Sequence, residues 1–288
     1  MVYGSFLIIG ESMLEKDGVS VIIPTYNRAE LLERSVKSVQ EQTYKKWEII
    51  VVDDGSTDNT EDIIKKLNDV RVRYIKNEKN MGAAASRNRG AEFAKYDYIA
   101  FQDSDDVWRI DKLEKQMAYM HQSTDYDMVY CSFLKHYSNG GSLVVPNNQI
   151  GEWEGDMYAT LLVNNVIGTP TVLIRRNVFL ECGGFDTELK AIEDWDLAVR
   201  VARNSQIGFV SEILVDAYET QGSISYDGAA YYKARCKMLA QNGVYLQEVG
   251  LFDELVINMF NDAEKRGVLD SVKKIFMLSL KKYYDKEN

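Results

Sequence analysis

Three carboxylic acids follow an apolar run within the first 110 residues of the chain. The run 98–101 (YIAF) is typical of a strand buried on both faces of a sheet, and Asp103, Asp105 and Asp106 come directly after it. Carboxylates this close repel each other and ionise together only beside a cation. Because Mg²⁺ takes oxygen ligands and reaches phosphates through one or two carboxylates, the spacing indicates a metal-bridged phosphate site. A lone Asp-x-Asp pair is more often a solvated acidic loop, so the neighbouring motifs must decide.

Two further acidic pairs stand at the ends of predicted elements. Asp53 and Asp54 follow the apolar run 47–52, and Glu193 and Asp194 open a helical pattern. Each pair has a purely structural interpretation, as a turn before Gly-Ser or as acids favoured by the helix dipole. The carboxyl ends of parallel strands, however, meet at one edge of a sheet, where ligands bind. Acids gathered there are costly without a cation or a ligand, so we expect a binding site at that edge.

The elements that would position these acids alternate between strand and helix. Predicted strands lie at 19–23, 47–52, 72–75 and 98–101, and predicted helices at 29–42, 57–67 and 83–94. This alternation predicts an α/β fold with a mostly parallel sheet flanked by helices. The second half is less regular, with strands expected at 128–137, 171–174, 207–210 and 213–218 and helices at 156–163 and 192–202. We expect an N-terminal extension (1–17), a catalytic domain (18–225) and a helical C-terminal region (226–288).

Composition limits the classes of function. The 288-residue chain carries a formal net charge of −10, which argues against nucleic acid as a partner, because nucleic acids bind basic surfaces. Its three Cys residues have no metal-binding spacing, which is typical of a reducing compartment. No apolar run reaches the ~18 residues that a membrane-spanning helix needs. We therefore expect a cytoplasmic location.

Four linked motifs carry a family resemblance. They are VSVIIPTYNR at 19–28, IVVDDGSTD at 50–58, NMG at 80–82 with ASRNRG at 85–90, and DSDD at 103–106. Their order and spacing over about residues 18–225 resemble the family 2 inverting glycosyltransferases. The resemblance implies a GT-A fold, which is Rossmann-like, a nucleotide-sugar donor that is usually UDP-linked, and a divalent metal, Mn²⁺ or Mg²⁺.

The resemblance also implies how the nucleoside is held. Pro24, Thr25 and Tyr26 would line the base and the ribose, with Tyr26 stacking on uracil. Asp54 would accept the imino proton of uracil, helped by Asp53.

The same resemblance assigns the phosphate and sugar contacts. Arg87 would stand near the diphosphate, with assistance from Arg28. Asp103 and Ser104 would contact the ribose or the sugar, and Asp105 would hold the metal that bridges the two phosphates.

The position of Asp194 matches the catalytic base of the family. Inversion by direct displacement needs one base to take the proton of the acceptor hydroxyl. An aspartate is already ionised at neutral pH, so we expect its position to matter more than any pKa shift. The neighbours Glu193 and Trp195 are candidate acceptor contacts, although Trp195 could equally anchor its helix in the core.

These motifs predict transfer of a single sugar to a hydroxyl of a glycan or lipid-linked acceptor, in surface polysaccharide biosynthesis. The loop 218–225 lacks the histidine that many relatives carry there, which leaves open a non-catalytic module that binds nucleotide-sugars or glycans. A sugar-1-phosphate nucleotidyltransferase would need a Gly-rich basic loop after the first strand. A nicotinamide-dependent oxidoreductase would need Gly-x-Gly-x-x-Gly. Neither motif is present.

A basic amphipathic pattern covers residues 268–284. Val272 and Phe276 share one face, and Lys273, Lys274 and Lys281 lie elsewhere. Such a helix docks on its own domain or forms a homodimer contact more often than it lies on the inner face of a membrane. All three alternatives stay open at this point.

Overall fold

Nine strands form one mixed sheet within residues 16–146, 153–220 and 228–284, the parts of the chain that the computed structural model describes. The strands are β1 (Val19–Thr25), β2 (Trp47–Asp53), β3 (Val72–Lys76), β4 (Tyr98–Phe101), β5 (Val107–Trp108), β6 (Tyr126–His136), β7 (Ser142–Val145), β8 (Leu173–Arg175) and β9 (Gln206–Tyr218). Their order is β3-β2-β1-β4-β8-β6-β9-β5, and β7 pairs with β6.

Helices flank this sheet and continue after it. They are α1 (Ala29–Gln40), α2 (Thr60–Leu67), α3 (Ala83–Glu92), α4 (Lys112–Gln122), α5 (Tyr158–Val163), α6 (Arg176–Glu181), α7 (Glu193–Ala202), α8 (Gly228–Gln241), α9 (Gly243–Glu248), α10 (Phe252–Lys265) and α11 (Leu269–Tyr284). The α/β fold predicted from the alternating pattern is confirmed.

The first four strands β3-β2-β1-β4 are parallel, as predicted. All residues of β1, β2 and β4 are buried, and alternate residues enter the two cores on opposite faces of the sheet. Burial on both faces explains why these strands read as continuous apolar runs rather than as alternating patterns. Thr25 pairs with Asp53 at the carboxyl ends of β1 and β2, so the loops that follow both strands start side by side.

The second half of the sheet is mixed. β8 runs antiparallel to β4 and β6, and β6 and β9 are parallel. The prediction of separate strands at 207–210 and 213–218 was wrong, because β9 is one strand of 13 residues. Its register against β6 shifts around Ser132, so one irregularity interrupts the apolar pattern without ending the strand. The strand expected from residue 171 begins at Leu173, after a 3₁₀ turn at Thr169–Thr171.

Close packing at Gly90 sets the distance between α3 and the sheet. A Cβ atom at Gly90 would lie 2.5 Å from Ile22 Cγ2, so only glycine lets the helix approach this strand. Two residues of the preceding turn of α3, Arg87 and Asn88, reach across the molecule. Arg87 contacts the loop after β4, and the Asn88 side chain bonds to both backbone polar groups of Phe185, at 2.8 Å each. Through α3, the first half of the sheet therefore holds the segment that leads to α7.

The C-terminal helices share a core with the sheet. Tyr232 and Leu239 of α8, Met259 of α10 and Phe276 of α11 belong to the same buried cluster as Phe101. The helical nature of this region is confirmed for 228–284. The proposed boundary at 225/226 and most of the extension 1–17 lie outside the described residues. Among the helices described, none has both the length and the apolar character needed to cross a bilayer.

Candidate active site

A cavity of about 780 Å³ opens over the carboxyl ends of β1, β2 and β4. Its opposite wall consists of the β6–β7 hairpin, residues 165–170 and the start of α7. The sequence-predicted residues that line it are Pro24, Thr25, Tyr26, Arg28, Asp54, Arg87, Asp103, Ser104, Asp105, Glu193 and Asp194. Asp53 and Trp195 lie outside this lining. The convergence of Asp54 with the cluster 103–106, expected from the strand-end rule, is present in the structure, and Glu193 and Asp194 at the start of α7 line the same cavity.

One end of the cavity has features that suit a nucleoside. The Tyr26 side chain is 45% exposed and is free to stack on a planar base. Thr25 Oγ1 is buried and has no hydrogen-bond partner among the described residues, so it can bond to a ligand. The Asp54 carboxylate accepts the backbone N–H groups of Met81 (2.9 Å) and Gly82 (2.7 Å), which brings the Asn80–Gly82 turn to the cavity wall.

Asp53 lies behind this wall of the cavity. Its carboxylate is fully buried, accepts the backbone N–H of Ser56 at 2.7 Å and accepts the Tyr74 hydroxyl. From this position, the help in binding uracil that was expected of Asp53 would be indirect. Asp53 instead shapes the turn that follows Asp54.

Arg87 joins the two halves of the site. Its side chain is 6% exposed and bonds to Asp103 at 2.6 Å and to Glu193 at 3.1 Å. Burial alone would lower the pKa of this guanidinium, but the charges of Asp103 and Glu193 raise the pKa above its ordinary value. One arginine therefore ties the loop after β4 to the first turn of α7.

Asp105 takes part in a second charged contact. Arg28 Nη1 lies 2.6 Å from Asp105 Oδ2, and the Thr220 hydroxyl donates to the same oxygen at 2.5 Å. The neighbouring Asp106 is buried, and its carboxylate accepts the Tyr218 backbone N–H at 2.9 Å. Burial, then the charges of Asp103 and Asp105, raise the pKa of Asp106 well above its usual value. Asp106 is therefore a poorer candidate for a metal ligand than Asp103 or Asp105.

The residues at this edge fit a divalent cation. Of the described residues that line the cavity, seven carry a carboxyl group and three carry a positive charge. Within the described residues, no group of three or more His, Cys, Asp and Glu is arranged as a complete protein cage for a metal. Mg²⁺ does not need such a cage, because it is usually held by one or two carboxylates together with phosphates. Asp105, with Asp103 close to it, could supply those carboxylates.

Asp194 lies on the opposite wall. Its Oδ2 accepts the backbone N–H of Thr169 at 3.1 Å, and its Oδ1 accepts the N–H of Trp195 at 2.8 Å. Burial, followed by the charge of Glu193, raises the pKa of Asp194 to about 6. Desolvation therefore makes this carboxylate a stronger base than an exposed aspartate, and its pKa contributes in addition to its position.

The family follows from the sequence match. The model of the family described as Glycosyl transferase family 2 matches residues 20–183, which is more than half of the chain. The chain belongs to glycosyl transferase family 2. The match contains nearly all of β1, all of β2 and β4, and the acidic strand ends. It also includes the β6–β7 hairpin and residues 165–170 of the opposite wall, whereas α7 with Asp194 lies beyond it.

Two similar proteins support the same assignment. An uncharacterized glycosyltransferase of Haemophilus influenzae is 30% identical over 75% of this chain and 77% of its own length. The Escherichia coli UDP-Glc:alpha-D-GlcNAc-diphosphoundecaprenol beta-1,3-glucosyltransferase WfgD is 32% identical over 67% of this chain and 73% of its own length. The chain is therefore a glycosyltransferase.

A solved structure shows the same GT-A-type fold. TarS 1-349 of S. aureus in complex with UDP-GlcNAc matches with a TM-score of 0.74 at 20% identity, over 92% of this chain and 80% of that one. TarS in complex with UDP matches with a TM-score of 0.62 at 25% identity. That match covers 77% of this chain and 64% of the TarS chain.

Trp195 does not reach the cavity of the transferase. It is 4% exposed, its indole N–H donates to the Leu161 carbonyl at 2.5 Å, and the Arg235 guanidinium lies 4.4 Å from its ring centre. Stacking of Trp195 on an acceptor sugar is therefore excluded by its burial. The alternative interpretation, an anchor of α7 in the core, is correct.

Several cavity residues of the transferase were missed by the sequence reasoning. Thr169 holds Asp194, and the other lining residues that were missed include Phe133, Lys135, Tyr137, Leu143, Tyr218 and Tyr231. Pro170 signalled a turn beside Thr169, but no local pattern linked this turn to Asp194. The hairpin residues lie on half-buried strands, whose pattern does not distinguish a cavity wall from an ordinary surface.

Proposed function

We propose that this glycosyltransferase transfers one sugar from a UDP-sugar to a hydroxyl of a glycan or lipid-linked acceptor with inversion at the anomeric carbon. Asp194 is the base. Asp105 holds a divalent cation, Mn²⁺ or Mg²⁺, and the remaining strand-end residues hold the donor.

One observation carries this proposal. A partly buried carboxylate with a pKa of about 6, Asp194, faces the same cavity as the acidic strand end 103–106, and Arg87 ties the two walls together. A base on one wall and a diphosphate site on the other is the arrangement that direct displacement requires. The described cavity also has room for a nucleotide-sugar with part of an acceptor.

The named relatives support the donor and acceptor classes. WfgD uses UDP-Glc and acts on a GlcNAc carried by diphosphoundecaprenol, and TarS binds UDP. Addition of a sugar to a lipid-carried saccharide is a step in building a larger glycan. On this basis we place the transferase in surface polysaccharide biosynthesis.

The chain's own residues supply binding, orientation and proton transfer. Tyr26, Thr25 and Asp54 orient the nucleoside, and Arg28 and Arg87 face the diphosphate. The acceptor oxygen attacks the anomeric carbon while the bond to the β-phosphate oxygen breaks. The hydroxyl proton passes to Asp194, and UDP leaves with the bonding electrons. A cation held at Asp105 supplies charge neutralisation for the phosphates.

A ligand screen followed by product analysis tests the proposal. Thermal shift with a panel of UDP-sugars and Mn²⁺ or Mg²⁺ should show stabilisation, because a ligand that binds the folded state raises its stability by mass action. GDP is the matched control. NMR of the product should show an inverted anomeric centre. Failure of every UDP compound to stabilise the protein, or a retained configuration, would overturn the proposal.

A further inference from the structure

The outward face of α11 combines positive charge with exposed apolar side chains. The helix packs through Val272 and Phe276, which are 2% and 5% exposed, against α8 and α10. On the opposite side Met277 and Leu278 are 64% and 61% exposed. Docking of this helix on its own domain, favoured from the sequence, is therefore confirmed for one face only.

Four lysines flank the two exposed apolar residues. Lys273 and Lys274 lie one turn before them, Lys281 and Lys282 lie one turn after them, and all four are exposed. Among the described residues, none of these lysines has an ion-pair partner. This basic cluster contrasts with a chain whose net charge is −10.

We propose that this face of α11, formed by Met277, Leu278 and the four lysines, docks on an anionic lipid surface. Apolar side chains between lysines are the pattern of helices that lie in the interface plane of a membrane. Lysines extend their charged ends to the headgroups while their stems and the apolar residues enter the acyl boundary. Each lysine near such a surface contributes about 1 kcal/mol of attraction.

Other occupants fit this face less well. A symmetric second copy would bring the same patch against itself, and its lysines would then face each other and repel. A nucleic acid would use the lysines but would leave Met277 and Leu278 exposed to water, and the chain as a whole is acidic. The lipid surface alone uses both the charge and the apolar side chains.

The position of α11 also relates the face to the cavity. α11 packs on α8, and α8 carries Tyr231, which lines the cavity. A surface that holds α11 therefore lies beside a helix that borders the cavity. The docking inference does not depend on the proposed donor, acceptor or base, because lipid binding is measured without turnover.

Co-sedimentation of the full chain with vesicles tests the inference. One set of vesicles is phosphatidylcholine alone, and the other is two parts phosphatidylcholine to one part phosphatidylglycerol. We expect binding to the anionic vesicles only, weakened by added salt. The double variant Lys274→Gln with Lys281→Gln should lower the partition coefficient about tenfold or more. A second double variant, Met277→Ser with Leu278→Ser, should lower the partition coefficient by a larger factor. The matched control is Lys65→Gln with Lys66→Gln on α2, which should bind as the unmodified chain does.

Three outcomes would overturn the inference. The first is equal binding to neutral and anionic vesicles, or none to either. The second is unchanged lipid binding by both α11 variants while a size measurement shows that they convert a dimer to a monomer. The third is tighter lysine-dependent binding to a duplex oligonucleotide than to anionic vesicles. Thermal unfolding of the variants should match that of the unmodified chain, since the changed side chains are exposed.

Discussion

Thr169 holds one carboxylate oxygen of Asp194 with two donors, its backbone N–H at 3.1 Å and its hydroxyl at 3.4 Å. The N–H of Trp195 binds the other oxygen at 2.8 Å. The partly buried carboxylate is therefore oriented from both sides. Its hydrogen bonds favour the charged form, whereas burial and Glu193 favour the neutral form, and the balance leaves the pKa at about 6.

Replacement of Thr169 by Val should raise the pKa of Asp194 and lower kcat several-fold at neutral pH. The change removes the hydroxyl donor and keeps the backbone donor, so the anion loses one stabilising contact. The pH profile of kcat measures the shift. Thr171→Val is the matched control, because Thr171 lies in the same turn and its hydroxyl bonds to Gly168 rather than to Asp194. A Thr171→Val profile that shifts equally would contradict a specific role of Thr169.

The pH profile of the unmodified enzyme should show an ascending limb near pH 6. A base acts only when deprotonated, so kcat/KM increases as the pH rises through a pKa of about 6 and then levels off. An exposed aspartate would place this limb below pH 4. Activity that stays constant between pH 7 and pH 5 would show that Asp194 does not set the profile.

Asp194→Asn should lower kcat by a factor of about 10²–10⁴, the usual contribution of a general base. UDP affinity should stay within a few-fold, because the nucleoside end of the cavity lies on the other wall. Transfer assays measure the first quantity and calorimetry the second. Glu188→Gln is the control, since this exposed acid lies on the loop that leads to α7 but outside the cavity lining. Full transfer by Asp194→Asn would refute the base.

Asp105→Asn should increase the Mn²⁺ concentration required for half-maximal activity at least about tenfold, because the change removes a charged oxygen ligand. The matched variant Asp106→Asn should change this concentration little, since burial already favours the neutral form of Asp106. A titration of activity with Mn²⁺ separates the two. Equal effects of both variants would contradict the assignment of the metal to Asp105.

Arg87→Met should destabilise the fold by about 3 kcal/mol, because it leaves Asp103 and Glu193 without their shared counter-charge. Adding Asp103→Asn and Glu193→Gln to this variant should recover part of the loss. Urea unfolding measures both steps. If the triple variant is no more stable than Arg87→Met, lost packing rather than lost charge explains the effect.

The first half of the fold could be predicted from local patterns. Its parallel strands are buried on both faces, so each appears as a short apolar run, and each ends in residues that favour a turn. The second half was harder to predict from the sequence, because its strands are partly exposed and the connections between its antiparallel strands are irregular. The register shift opposite Ser132 of β6 broke the apolar pattern of β9, and the pattern then predicted two strands in place of one.

The candidate site, like the fold, could be predicted only in part from the sequence. The strand-end rule placed Asp54 and Asp103 at one edge, because the ends of parallel strands must meet there. That rule could not distinguish Asp53, whose side chain lies behind the cavity wall, from Asp54, which lines the cavity. It could not predict the burial of Trp195 either, since that depends on how α7 is rotated against α5.

By itself, the sequence determined the parallel core, the helical C-terminal region, the family and the identity of the acids. Those features depend on periodicity and on short motifs, which are properties of neighbouring residues. Only the tertiary structure decided which acid pairs with which cation and what holds the base. Arg87 meets Glu193 from 106 positions away and Thr169 meets Asp194 from 25. Such pairs form because packed helices and loops bring them together, and that burial in turn raises the pKa of Asp194.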